Sequence, residues 1–270
     1  MQSVIESKYF LIVTYEGTDF YGSQIQKNLR TVQGDLEYAI EKVFGVHSRM
    51  LLASRTDTGV HADFQVGTFV IKRNNGFSSN TLRSALNTYL SGDLRILYAG
   101  KLTQEDIFFN PRRDAISREY MYTFDDAEVL EPKFRNYVHH VNRRLDENKM
   151  DEAASFLIGT HDFISFSGSS TSLIDSTIRN VFDCKVTRIK NKVFFSIIAN
   201  AFLHQQIRRI SALLLEIGLN KKSPNMMKKI LVSKNKGEFT HVLSPKGLCL
   251  KKIEYKEKFL QKIITHSVNK

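Results

Sequence analysis

At 270 residues, with 42% apolar and 25% charged residues, the chain has ordinary globular composition and enough length to bury one large core or two smaller ones without disulfide or metal staples. No apolar run reaches the length of a membrane span, and residues 1–8 lack the basic start and apolar stretch of a secretory signal, so a cytoplasmic protein is expected. The net charge of +11 is uneven, with 11 Lys and Arg against 10 Asp and Glu in residues 1–105 and 28 against 18 in residues 106–270, so a polyanionic partner should touch mainly the second half.

Residues 9–15 are aromatic and β-branched and run into Glu16-Gly17-Thr18-Asp19, which predicts a buried strand and a turn. Thr31 is the predicted N-cap of a helix in which Val32, Leu36, Ile40, Val43 and Phe44 recur at three- and four-residue spacing until Gly45. Residues 64–72 read as a strand, 80–90 as a helix aligned on Leu82, Leu86 and Leu90, and 94–99 as a strand. The second half repeats the style with strand 118–125, helix 146–159, strands 181–189 and 193–199, and a hydrophobic helix over 204–217. Ser223-Pro224 supplies the N-cap and first-position proline of a short helix, and residues 248–255 close as a strand. The pattern predicts two similar α/β halves, 1–105 and 106–270, with a soft boundary. Residues 165–176, rich in Ser, Thr and Gly between apolar flanks, read as a mobile loop.

The chain has no Gly-rich phosphate loop, no Gly-x-Gly dinucleotide turn, no Gly-x-Ser-x-Gly elbow and no Cys or His cluster at metal spacing. Cys184 and Cys249 read as buried, reduced thiols, and His139-His140 as a solvated pair. The chemistry expected is that of protein side chains alone.

Leu51-Leu52-Ala53 runs into Ser54-Arg55-Thr56-Asp57-Thr58-Gly59-Val60-His61-Ala62, and by local chemistry this is a polar turn between two strands. The string from Arg55 resembles the Arg-Thr-Asp-x-Gly-Val-His signature of the TruA family of tRNA pseudouridine synthases. The resemblance continues, in the family's order, through Tyr15-Glu16-Gly17-Thr18, Thr31-Val32-Gln33, Phe109-Asn110-Pro111-Arg112, Arg118-Glu119-Tyr120, Gly159-Thr160-His161-Asp162-Phe163, Asn200-Ala201-Phe202-Leu203-His204 with Arg208, and Gly247-Leu248.

The resemblance implies an α+β pseudouridine synthase fold, two halves with mostly antiparallel sheets around a central basic cleft and helices outside. It implies isomerisation of uridine in tRNA, at anticodon-arm positions 38 to 40, by a homodimer needing no cofactor. Asp57 inherits the catalytic aspartate, either as a nucleophile on sugar or base or as acceptor of a sugar proton. Arg208, on an otherwise apolar helix, is the candidate ion partner of that carboxylate, the bland alternative being an arginine that reaches solvent along the helix flank. Tyr120 takes the place of an active-site tyrosine stacked on uracil, while Tyr122 and Phe124 stay in the core.

A base inside a stem must leave the stack before its glycosidic bond is reached. Arg55 is two residues from Asp57 and on the same face of an extended segment; the resemblance implies that it fills the gap and contacts the RNA, the bland alternative being a surface ion pair. Arg112 and Arg118 are expected as RNA contacts because exposed arginines bind any phosphate, and His61, a loop histidine, as structural. The sequence departs from the family at Ser23, where Trp is usual, at Gln206, where Met is usual, and at Thr58 and Ser176. Rival readings are a synthase for other tRNA or RNA sites, an idle RNA-binding relative, and a glycosidase, which would need a second carboxylate beside Asp57.

Overall fold

The computed structural model describes residues 6–72, 77–168 and 176–256. In chain order the elements are β1 (Ser7–Tyr15), α1 (Val32–Phe44), β2 (Leu51–Leu52), β3 (His61–Ile71), α2 (Ser79–Thr88), β4 (Leu94–Lys101), β5 (Ser117–Asp125), β6 (His139–His140), α3 (Glu147–Ser155), β7 (Gly159–Asp162), β8 (Ile178–Ile189), β9 (Lys192–Ala199), α4 (Gln206–Gly218), α5 (Asn225–Ser233) and β10 (Leu248–Glu254). The class is α+β, with antiparallel pairing throughout β1/β3, β1/β4, β5/β9, β7/β8 and β8/β9 and one short parallel pair, β5/β6.

The chain forms two compact units, one reaching Ile116 and resuming at Leu250, the other Ser117–Cys249. The first unit therefore extends past residue 105 and takes back most of the last strand. A pattern of local periodicity carries no signal for such a return, because pairing between strands so distant in sequence is decided by the sheet and not by the segment.

In the first unit the strand order is β4, β1, β3, β10, with β2 added on β3. Tyr9 pairs Phe69 and Leu11 pairs Gly67 across β1/β3. The α1 helix begins where Thr31 accepts the Gly34 N–H and ends at Gly45 in the left-handed region (φ 69°), whose amide donates to the Glu41 carbonyl. Its apolar stripe of Val32, Leu36, Ile40 and Phe44 is buried. Phe44 lies with its ring centre 5.3 Å from Tyr9 and 5.7 Å from Phe69, which fixes this helix on β1 and β3. At α2, Ser78 caps Thr81, and the Asn87 side chain both donates to and accepts from the Ile96 backbone at 2.8 and 2.9 Å, locking helix to β4.

In the second unit the order is β5, β9, β8, β7. Alternation along β9 buries Val193, Phe195, Ile197 and Ala199, and α4 buries Ile207, Ile210, Leu213, Leu214 and Ile217. Ser223 does not cap α5 with its side chain. Pro224 precedes the helix, and the first turn closes through Met226 N–H to the Ser223 carbonyl and Met227 N–H to the Pro224 carbonyl. Of the loop expected at 165–176, Ile164–Phe166 form a 3-10 turn and residues 169–175 lie outside the described residues. Cys184 is buried, and burial raises its thiol pKa ahead of the nearby Asp183 and Asp151. Cys249 is only half-buried.

Asp126 is buried and receives two hydrogen bonds from Arg188 Nη1, at 3.0 and 2.9 Å, and one from the Leu145 amide. Arg188 also faces Glu147 at 2.9 Å. Removing one member of a buried pair strands its partner, whereas an exposed pair such as Lys251 with Asp63 is screened by water. Asp126→Ala is expected to lower the urea unfolding free energy by about 3 kcal/mol, and Asp63→Ala to change it by under about 1 kcal/mol.

Candidate active site

In the first unit the segment between β2 and β3 carries Arg55 and Asp57 on its outer side. Thr56 between them is buried, Arg55 is exposed and Asp57 half-buried, the alternation of an extended segment. The chain then turns sharply: the Val60 amide donates to the Asp57 carbonyl at 3.1 Å, and Gly59 takes φ 79°, which a side chain would disfavour.

Beneath this turn lies a set of buried polar groups that satisfy one another. The wholly buried Ser23 accepts the Thr56 amide at its Oγ (2.9 Å) and donates its own amide to the Thr56 carbonyl (3.1 Å). Thr56 Oγ1 and the Tyr15 hydroxyl lie 2.8 Å apart. Gln65, a fully buried amide on β3, spans the Ser54 backbone, accepting its N–H at 3.1 Å and donating to its carbonyl at 2.8 Å. Ser54 and Thr56 are thus held by side chains from three other segments, and Asp57 is carried on that support.

Two glycines let the segments approach. A Cβ on Gly17 would overlap the Val60 carbonyl, and Gly22 (φ 87°) would bring one 2.9 Å from the Thr56 carbonyl. His61 is buried, and its Nδ1 accepts the Gly17 amide at 3.0 Å, so the ring is neutral at that nitrogen and holds the strand that leaves the turn.

Arg112 shares this unit. It is solvent-exposed, and its pKa lies below the arginine norm, first through partial desolvation and then through the nearby Arg55 guanidinium. The two cations therefore act on one another electrostatically.

Arg118, Tyr120 and Arg208 belong to the second unit. Arg118 is not the exposed arginine its sequence context suggests; it is 8% exposed and donates to the Asn200 carbonyl at 2.6 Å. Its guanidinium is held by that carbonyl just past the end of β9. Tyr120 is buried on β5 with its ring edge-on to Phe202 at 5.3 Å. Tyr122 is buried, donates to the Ser244 carbonyl at 2.7 Å, and has its pKa raised by burial despite the opposing pull of Arg208. Arg208 Nε donates to the Leu243 carbonyl at 2.8 Å.

His139 and His140 are only partly solvated. Both are half-buried on β6; His139 sits 6.2 Å from Phe124 and 6.3 Å from Tyr122, and burial, then His241 and His140, lower its pKa. Gln206, also wholly buried, accepts the Leu203 amide at 2.7 Å and so closes the start of α4. Sequence patterns flagged Ser23 and Gln206 as substitutions only. The polar Gln65 inside an apolar strand was the available signal for the support beneath the turn. Among the described residues no cluster of three or more His, Cys, Asp and Glu has the arrangement of a metal site.

Residues 153–256 match the family model described as tRNA pseudouridine synthase. The chain is 39% identical to the tRNA pseudouridine synthase A of Fervidobacterium nodosum over 89% of this chain and 96% of that one. It is 38% identical to that of Thermoanaerobacter sp. strain X514 (91% and 98%) and 35% identical to that of Oceanobacillus iheyensis (91% and 95%). The matches place it among the pseudouridine synthases, a class of isomerases. Within that class the chain belongs to the tRNA pseudouridine synthase A family.

Ser23→Ala leaves the buried Thr56 amide without its acceptor and is expected to cost about 1–3 kcal/mol of stability in denaturant unfolding. Unchanged stability would show that Ser23 does not support the turn.

Proposed function

We propose that the protein converts uridine to pseudouridine in tRNA, at anticodon-arm positions 38 to 40, acting as a cytoplasmic homodimer with Asp57 as the reacting carboxylate. The observation that carries this reading is a half-buried aspartate on a braced turn, two residues from the exposed Arg55, in a chain whose relatives bear the name tRNA pseudouridine synthase A.

The reaction is an isomerisation. The N1–C1′ bond breaks, the base turns, a C5–C1′ bond forms, and the proton lost from C5 is balanced by one gained at N1. The carboxylate begins ionised in both candidate routes, attack by Asp57 as a nucleophile or removal of a sugar proton. A rigid turn favours both, because a carboxylate fixed before the substrate arrives needs no reorganisation in the transition state. Arg55 and Arg112 suit the phosphates around an extruded nucleotide, and a guanidinium at Arg55 has the reach to fill the space the base vacates. By the family resemblance, Tyr120 is proposed as an aromatic face for the base and Arg208 as a further charged group of the reaction.

Uridine-containing tRNA treated with the protein and probed by carbodiimide-blocked reverse transcription should show new stops at the anticodon arm. Asp57→Ala should abolish them while leaving tRNA affinity within about twofold, since the carboxylate makes no favourable phosphate contact. Persistent stops with Asp57→Ala would remove the carboxylate from the reaction. In a separate measurement, neutralising several Lys and Arg of residues 106–270 should flatten the dependence of binding on salt, each lost phosphate contact reducing the logarithmic slope by about 0.9; an unchanged slope would move the polyanion surface elsewhere.

A further inference from the structure

Phe108 is 85% exposed, the highest value for any large apolar side chain among the described residues. Scattered apolar residues on a surface call for no explanation, but this one is set apart by how it is held and by what surrounds it.

The loop between β4 and β5 is pinned on both sides of it. Lys8 Nζ donates to the Ile107 carbonyl at 3.0 Å, and the Phe109 amide donates to the Asp106 carbonyl at 3.0 Å. Phe109 turns inward, its ring 5.7 Å from Phe10 and 5.0 Å from Tyr255. Asn110 Oδ1 then accepts the amides of Arg112 and Arg113, each at 3.0 Å, and the Tyr255 hydroxyl donates to the Pro111 carbonyl at 2.7 Å. With its neighbour buried and its flanks hydrogen-bonded, Phe108 is presented to solvent by a fixed backbone.

The charges nearby are mixed: Arg113 Nε pairs with Asp114 at 2.9 Å, and Arg112 adds an exposed cation on the same loop. Arg113 Nη2 donates to the Phe108 carbonyl at 3.4 Å, Lys8 holds the preceding carbonyl, and Arg112 lies four residues on, close to Arg55. An exposed apolar ring on the same loop as the exposed Arg112 and Arg113 suits a ligand that joins a flat apolar face to negative charge. Unpaired nucleotides have that chemistry, a base to stack on the ring and phosphates for the guanidiniums.

We propose that Phe108 is a stacking platform for an unpaired base of the RNA substrate, next to the phosphate contacts of Arg112 and Arg113. The proposal rests on the reading of the chain as a tRNA-modifying enzyme and adds a base contact outside the Asp57 turn. The ring sets which nucleotide lies beside the target and carries no part of the bond rearrangement.

The test measures tRNA binding by fluorescence anisotropy in an Asp57→Ala background, where nothing turns over. Phe108→Leu keeps apolar bulk without a π face and is expected to weaken binding roughly 5- to 150-fold, while Phe108→Trp stays within about twofold of the parent. The salt slope should stay the same in both, because no phosphate contact is lost. With tRNAs carrying single abasic nucleotides, one unpaired position should exist where removal of the base and Phe108→Leu are not additive.

Equal affinity of Phe108→Leu and parent overturns the proposal, as does a Phe108→Leu loss additive with every abasic position. A change in oligomeric mass on Phe108→Leu, read by light scattering, also overturns it, since the ring would then contact protein. If Phe108→Leu weakens binding but the wild-type protein makes no pseudouridine, the stacking contact stands and the isomerase reading fails. If pseudouridine forms and Phe108→Leu binds normally, the stacking contact alone fails.

Discussion

Burying backbone amides and carbonyls without water obliges the protein to supply their partners, and the turn that carries Asp57 depends on how that obligation is met. Ser23 takes both the amide and the carbonyl of Thr56, Gln65 takes both of Ser54, and Tyr15 takes the Thr56 hydroxyl. Each bond contributes about 1 kcal/mol net, but an unmade one costs more, so the set holds as a unit. The outward side of the segment is then free to carry charge, because every inward polar group is satisfied.

The second unit solves a similar problem with ions. Asp126 and Arg188 are buried together, with the Leu145 amide and carbonyl as additional partners, at 2.9 Å and 2.7 Å from the respective side chains. Arg208 and Arg209 anchor on the carbonyls of Leu243 and Phe239, so the segment after α5 is tied to α4 by two adjacent guanidiniums. A substitution at either arginine therefore disturbs backbone geometry as well as charge, and a change in activity alone would not separate the two.

Most elements were legible because their signals are local. Thr31 and Gly45 bound α1 as their cap chemistry dictates, and the alternation of Tyr120, Tyr122 and Phe124 marks a buried strand. The Asp57 turn was legible as a turn from Thr, Asp and Gly, and as a site only through the resemblance of a longer string. Burial of individual polar residues was not legible. Arg118 reads as exposed from composition and is buried with its guanidinium on the Asn200 carbonyl, and His139 is half-buried with Phe124 and Tyr122 beside it. Ser23 looked like the loss of an aromatic, and only the three-dimensional approach of residue 56 turns it into a support. Such facts depend on register and on segments far apart in sequence, which no window along the chain contains.

The return of β10 to the first unit sets an order on biosynthesis. The strands β1, β3 and β4 emerge from the ribosome early, yet the Ile116 amide waits for the Glu254 carbonyl, the Pro111 carbonyl for the Tyr255 hydroxyl, and Phe109 for the Tyr255 ring. All of the second unit is translated in between. The loop bearing Phe108 and Arg112 thus receives its final anchors only after the intervening unit has been made, and a product that stops short of Tyr255 lacks them while retaining the Asp57 turn. Long-range closure of this kind is slow to form, and here it makes synthesis of the whole second unit a condition for a finished first unit.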